Sequence, residues 1–111
     1  MKITIKATNL DLTPSLNTYI ENKLGTLARL VKKFDSEGLA DARIEVARTT
    51  RHHHKGDVFM AEINLHLGGK TLRITEKNED IRKAIDIAKH KLHQEIEKFK
   101  SKSDPVRKKT K

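Results

Sequence analysis

At 111 residues with no cysteine, the chain is sized for one domain, and disulfides, thiolate metal sites and a cysteine nucleophile are excluded together. No apolar run approaches the ~20 residues that span a bilayer, and Met1-Lys2-Ile3-Thr4-Ile5-Lys6 alternates where a signal peptide would carry its apolar core, so a soluble, cytoplasmic protein is expected. The net charge of +9 is uneven: residues 1–33 hold six Lys/Arg against two acids, 34–77 seven of each, 78–100 six against five, and 101–111 five against one.

Ile3, Ile5 and Ala7 alternate with Lys2, Thr4, Lys6 and Thr8, which predicts a strand with one wet face. Thr13-Pro14 then reads as a helix start, with Thr13 as N-cap and Pro14 at the first helical position, where a missing N–H costs nothing. Leu16, Ile20, Leu24, Leu27, Val31 and Phe34 follow at spacings of three and four, one apolar stripe on one helix. Gly25 interrupts that helix, and close packing against a neighbour is the expected reason. Ser36-Glu37-Gly38 breaks the run.

The middle alternates again. Ala42, Ile44 and Val46 predict a second strand, Phe59, Ala61, Ile63, Leu65 and Leu67 a third, and Leu72 and Ile74 a fourth. Gly68-Gly69 fits a tight two-residue hairpin turn, since both positions can take positive φ. From Asn78, the expected N-cap, the period turns helical, with Ile81, Ile85, Ala88, Leu92, Ile96 and Phe99 on one stripe. The order β-α-β-β-β-α predicts an α+β fold in two layers, a four-stranded sheet with both helices on one face, the first two strands joined by a right-handed parallel crossover. Residues 1–100 make this domain. Residues 101–111 lack apolar periodicity and are expected to form a basic, disordered tail.

A charge surplus localised in this way is the footprint of a polyanion binder, because each Lys or Arg that meets a phosphate releases counterions. Scarce aromatics, Tyr19, Phe34, Phe59 and Phe99 with no Trp, argue against stacking single-stranded bases. On the last helix Arg82, Lys89, His93 and Lys100 fall on one flank of the apolar stripe, and Lys91 and Lys98 border the other. With Lys23, Arg29, Lys32 and Lys33 they outline a basic surface suited to structured RNA. His52-His53-His54 invites a metal reading, but two imidazoles without a third ligand make a poor site and no metal is expected. Arg51, His52, His54 and Lys55 read instead as a phosphate-contacting loop. No dinucleotide fingerprint, P-loop or nucleophile elbow occurs, so neither an enzyme, a cofactor nor a small-molecule substrate is expected.

Ala7-Thr8-Asn9-Leu10-Asp11-Leu12-Thr13-Pro14-Ser15-Leu16, followed by Tyr19-Ile20-Glu21-Asn22-Lys23-Leu24, resembles the opening of the ribosome hibernation-promoting factors, also called ribosome-associated inhibitors. Glu79-Asp80-Ile81-Arg82-Lys83-Ala84-Ile85-Asp86 is similar to that family's second helix start, and Lys91-Leu92 and Lys98-Phe99-Lys100 match its later basic positions. The resemblance covers residues 1–100. It implies a double-stranded-RNA-binding-like domain that sits on the small ribosomal subunit near the decoding centre. There it would block messenger RNA and tRNA and idle ribosomes under stress, as a monomer when off the ribosome. By position Lys23, Arg29, Lys91, Lys98 and Lys100 inherit ribosomal RNA contacts. Arg82 departs from the family's Tyr, Thr26 from its Lys and Gln94 from its Arg. The chain resembles the short form, without the dimerisation domain of the long form. A generic structured-RNA module or RNA chaperone on a similar fold is the alternative.

Overall fold

The computed structural model describes residues 1–49 and 58–102. Strand β1 (Lys2–Thr8) leads through helix α1 (Pro14–Gly25), a 3-10 turn (Ala28–Val31) and a short helix α2 (Lys32–Ser36) to β2 (Ala40–Thr49). Strands β3 (Val58–Leu67) and β4 (Lys70–Asn78) follow, then the long helix α3 (Ile81–Lys102). The sheet order is β1-β2-β3-β4, with β1 parallel to β2 and the other neighbours antiparallel. This is the expected four-stranded α+β arrangement, and the parallel β1–β2 pair is the expected crossover.

Period two decides which side chains meet the helices. Ala42, Ile44 and Val46 of β2, Ala61, Ile63, Leu65 and Leu67 of β3 and Leu72 of β4 point to one side of the sheet. There they join Leu16, Ile20 and Leu24 of α1 and Ala84, Ile85, Ala88, Leu92 and Ile96 of α3 in one core. Each large aliphatic side chain withdrawn from water adds roughly 1.5–3 kcal/mol. No polar or charged residue among those described is buried, so the core between the layers is apolar.

The helix start is as expected: Pro14 opens α1, and Thr13 Oγ1 accepts a hydrogen bond from the Leu16 N–H at 3.1 Å. The helix does not run to Phe34, however. At Thr26 the hydroxyl donates to the Lys23 carbonyl at 2.7 Å, and Leu27 and Leu30 bond to carbonyls three residues back. This is the tighter 3-10 pattern. Gly25, the weakest helix former at hand, and Thr26, whose hydroxyl competes for backbone groups, end α1 together. Leu24 and Leu27, three apart, stay on one side of the tightened turn, and Val31 at its end is buried as well, so the stripe survives the break.

Two smaller expectations, for Gly25 and for the cap at Asn78, are corrected, and the expected Gly68-Gly69 turn is present. A Cβ on Gly25 would meet nothing within 4 Å, so close packing does not explain that glycine. In the β3–β4 turn only Gly68 has positive φ (63°), as a type II′ turn requires of its first central residue. The cap of α3 is Asp80 rather than Asn78. Its Oδ1 accepts from the Arg82 N–H at 2.9 Å, while Asn78 closes β4 and accepts from the Asp80 N–H. Gly38 (φ 73°) ends α2 with the Leu39 N–H bonded back to the Phe34 carbonyl, a Schellman closure.

Candidate nucleic-acid interface

Helices α1 and α3 lie side by side on the sheet, and the polar residues flanking their apolar stripes meet along the seam. Ser15, Tyr19 and Lys23 are four apart on α1, as are Arg82 and Asp86 on α3, so each set forms a row. Tyr19 Oη donates to Asp86 Oδ1 at 2.6 Å, and Lys23 Nζ lies 3.5 Å from the same oxygen. The Arg82 guanidinium sits 4.7 Å and Lys23 Nζ 5.3 Å from the centre of the Tyr19 ring, both within cation–π range. Arg82 Nη2 also donates to Ser15 Oγ at 3.1 Å.

Desolvation between the helices, then the hydrogen bond to Asp86 and its charge, push the Tyr19 phenol up to about 12, against the opposing pull of Arg82. The phenol is therefore a neutral donor at every physiological pH.

The residues expected to meet RNA divide into separate groups. Lys23 and Arg82 are brought together at the α1–α3 seam. Lys89 and Lys100, half-buried, continue along the same flank of α3 by helical spacing. Arg29 is exposed in the 3-10 turn, with Lys32 and Lys33 exposed in α2 just beyond. Lys91 and Lys98 lie on the far flank of α3. Lys91 Nζ donates to Glu76 Oε1 of β4 at 2.8 Å, and Lys98 Nζ lies 3.4 Å from Glu95. Arg51, His52, His54 and Lys55 fall outside the described residues, as does the segment from Ser103 onward. Among the described residues no three His, Asp or Glu side chains gather as metal ligands, and no helix is long and apolar enough to cross a membrane.

Sequence reasoning did not anticipate Tyr19, Asp86 and Ser15 as parts of this surface. Tyr19 and Asp86 are 67 residues apart, and only helix packing joins them. The available signal was the polar row at positions 15, 19 and 23, which has no reason to be regular on a merely solvated flank.

Comparison with known proteins gives concordant matches. Residues 3–104 match the family described as Sigma 54 modulation protein / S30EA ribosomal protein. The ribosome hibernation promotion factor of Bacillus subtilis is 31% identical over 102 residues, 92% of this chain and 50% of that protein. A protein of the same name from Picosynechococcus is 27% identical over 103 residues, 93% and 51% of the two chains. The chain thus spans about half the length of the curated relatives it matches. Among solved structures, the N-terminal domain of Thermus thermophilus Protein Y aligns with a TM-score of 0.67 at 26% identity, covering 89% of this chain and 99% of that one. A ribosomal subunit interface protein from Coxiella burnetii gives the same TM-score at 20% identity, covering 91% and 99%, and bears on the fold alone.

Proposed function

The chain belongs to the Sigma 54 modulation protein / S30EA ribosomal protein family, and on that premise we propose that it is a ribosome hibernation factor of the cytoplasm. It binds the small ribosomal subunit near the decoding centre through a double-stranded-RNA-binding-like domain, and it inhibits translation by occupying the space of messenger RNA and tRNA. No bond is made or broken; occlusion is the whole mechanism. The protein acts as a monomer when off the ribosome. The observation that carries the reading is the pairing of a family match spanning the described domain with a basic α1–α3 seam, where Lys23 and Arg82 stand together. Lys23, Arg29, Arg82, Lys89, Lys91, Lys98 and Lys100 are the proposed ribosomal RNA contacts.

The test is to sediment the protein with separated ribosomal subunits at several salt concentrations and to assay cell-free translation alongside. The small subunit should carry the protein, and log K should fall linearly with log salt by about 0.7–0.9 for each phosphate contact. Equal affinity for any RNA duplex would favour the structured-RNA module or chaperone instead. Binding to neither subunit would overturn the proposal.

A further inference from the structure

We infer that Tyr19 and Asp86 are a positioning pair that holds Lys23 and Arg82 as a two-cation clamp for a single RNA phosphate. The inference rests on the ribosomal RNA reading above and adds to it residues that carry no positive charge.

A long cationic side chain on a surface is a poor partner for one fixed phosphate, because Lys and Arg each lose rotamer entropy when held still. At the α1–α3 seam much of that ordering is already done. The Tyr19 ring has the Arg82 guanidinium at 4.7 Å and Lys23 Nζ at 5.3 Å. The ring is itself tied in place, since its hydroxyl donates to Asp86 on the facing helix at 2.6 Å. Asp86 Oδ1 also draws Lys23 to 3.5 Å, and Ser15 Oγ accepts from Arg82 Nη2 at 3.1 Å. Two cations from different helices are thereby spaced by one aromatic ring.

The charges leave room for an anion. Among the described residues the Arg82 guanidinium contacts a hydroxyl and a ring rather than a carboxylate, which leaves most of its five N–H donors for bidentate contact with a phosphate. Lys23 does meet a carboxylate, but at 3.5 Å with both side chains partly exposed, where solvent screening leaves an ion pair weak. A phosphate oxygen can take that place. Lys23 and Arg82 bring positive charge to the cluster, the phenol is neutral, and Asp86 and Asp80 bring negative charge.

A carboxylate near a phosphate site supplies a sharp test. If Asp86 acts on RNA only through its charge, removing it lessens repulsion and tightens binding. If Asp86 positions the cations, removing it weakens binding. Affinity for isolated small ribosomal subunits is to be measured for the parent, Tyr19→Phe and Asp86→Ala. Each substitution is repeated in a Lys23→Gln/Arg82→Gln background, at a temperature where melting curves show every variant folded.

Tyr19→Phe and Asp86→Ala should each weaken the parent about fivefold, the scale of a modest coupling between residues in contact. Both losses should shrink below about twofold once the two cations are gone, because a positioning residue has nothing left to position. Asp86→Ala binding as tightly as the parent, or tighter, overturns the clamp. So does an equal loss in both backgrounds, which marks a general structural role. A parent that binds no ribosomal particle instead overturns the ribosomal reading and the clamp with it, so the two failures are told apart.

Discussion

The two sides of the sheet carry their charges differently. On the open side, strand register sets Lys2, Asp41 and His66 in one row, Thr4, Arg43, Asn64 and Arg73 in the next, and Lys6, Glu45 and Glu62 in a third. Both signs are interspersed there, with Lys2 beside Asp41 and Lys6 beside Glu45. Arg43 Nε lies 3.4 Å from Asp41, and Arg73 Nε lies 3.9 Å from Glu62 while donating to Asn64 at 2.8 Å. Interleaved charges of this kind cancel within the ~8–10 Å over which salt already screens them. On the helical side Arg82 rests on a ring and a hydroxyl, and Arg29, Lys32 and Lys33 stand exposed. Their fields add outward. A net charge of +9 says little until it is known which charges are neighbours.

The contrast should be largest in stability. Ile63 and Asn64 are adjacent on β3 and point to opposite sides, Ile63 fully buried under the helices and Asn64 accepting from Arg73. Ile63→Ala should cost about 2–5 kcal/mol, the lost burial plus a cavity the core only partly closes. Asn64→Ala should cost about 0.5–1.5 kcal/mol, a single part-exposed hydrogen bond. Urea unfolding of both variants decides. Comparable losses would mean that the open side contributes to stability as the core does.

The next effect is on binding. Lys23→Gln/Arg82→Gln, which removes one phosphate site, should weaken small-subunit affinity roughly five- to eightfold at 0.1 M salt, and flatten the salt slope by about 0.7–0.9. Arg43→Gln/Arg73→Gln, with the same change of charge on the open side, should leave the slope unaltered. The triple variant Lys91→Gln/Lys98→Gln/Lys100→Gln should fall between them, because Lys91 and Lys98 already face Glu76 and Glu95. A sheet variant that flattens the slope as much as the seam variant would erase the distinction between the faces.

Much of this architecture is legible in the sequence. The alternation at Ile3–Ala7, Ala42–Val46 and Ala61–Leu67 specifies strands and their buried side together, because period two leaves no other assignment. The stripe from Leu16 to Val31 also survives, although its helix breaks. Apolar spacing of three and four suits an α-helix followed by a 3-10 turn as well as one unbroken helix. The misplaced cap at Asn78 shows the limit of local rules, since Asp80 offers the same chemistry two residues on and the length of β4 decides between them. The seam was legible only in its cations. What holds Lys23 and Arg82 together is a contact between helices, which no local pattern encodes.

The Tyr19–Asp86 bond should also appear in the pH dependence of stability. The phenol ionises near 10 in the unfolded chain and near 12 in the folded one, so the fold favours the protonated form. That contribution is complete below pH 10 and is lost as pH rises from 10 toward 12. Stability of the parent relative to Tyr19→Phe should therefore hold steady from pH 7 to 9 and decline above 10. Urea midpoints of both proteins at pH 8, 10 and 11 test this. A gap that stays constant through pH 11 would show that the hydroxyl is not held by Asp86 in solution.

The smallest effect concerns Gly25, where the helical side is least well made. Glycine at the end of α1 is exposed, an added Cβ would meet nothing within 4 Å, and the backbone is not in the left-handed region. Alanine fits such a position and narrows the unfolded ensemble, so Gly25→Ala should stabilise the protein by about 0.4–1 kcal/mol. The same substitution at Gly68 supplies the counterpart at the end of the sheet. There φ is 63°, and a side chain should cost about 1–2 kcal/mol because its Cβ crowds the following carbonyl. Thermal melting of the two variants should move in opposite directions. The Thr26 hydroxyl bond to Lys23 and the Leu27 bond to Leu24 do not involve residue 25 and stay in place, so a longer helix is not the expected source of the gain. Small-subunit affinity of Gly25→Ala should accordingly match the parent, since Lys23 and Arg29 keep their places on either side. A lower melting temperature would mean that position 25 needs a backbone only glycine adopts.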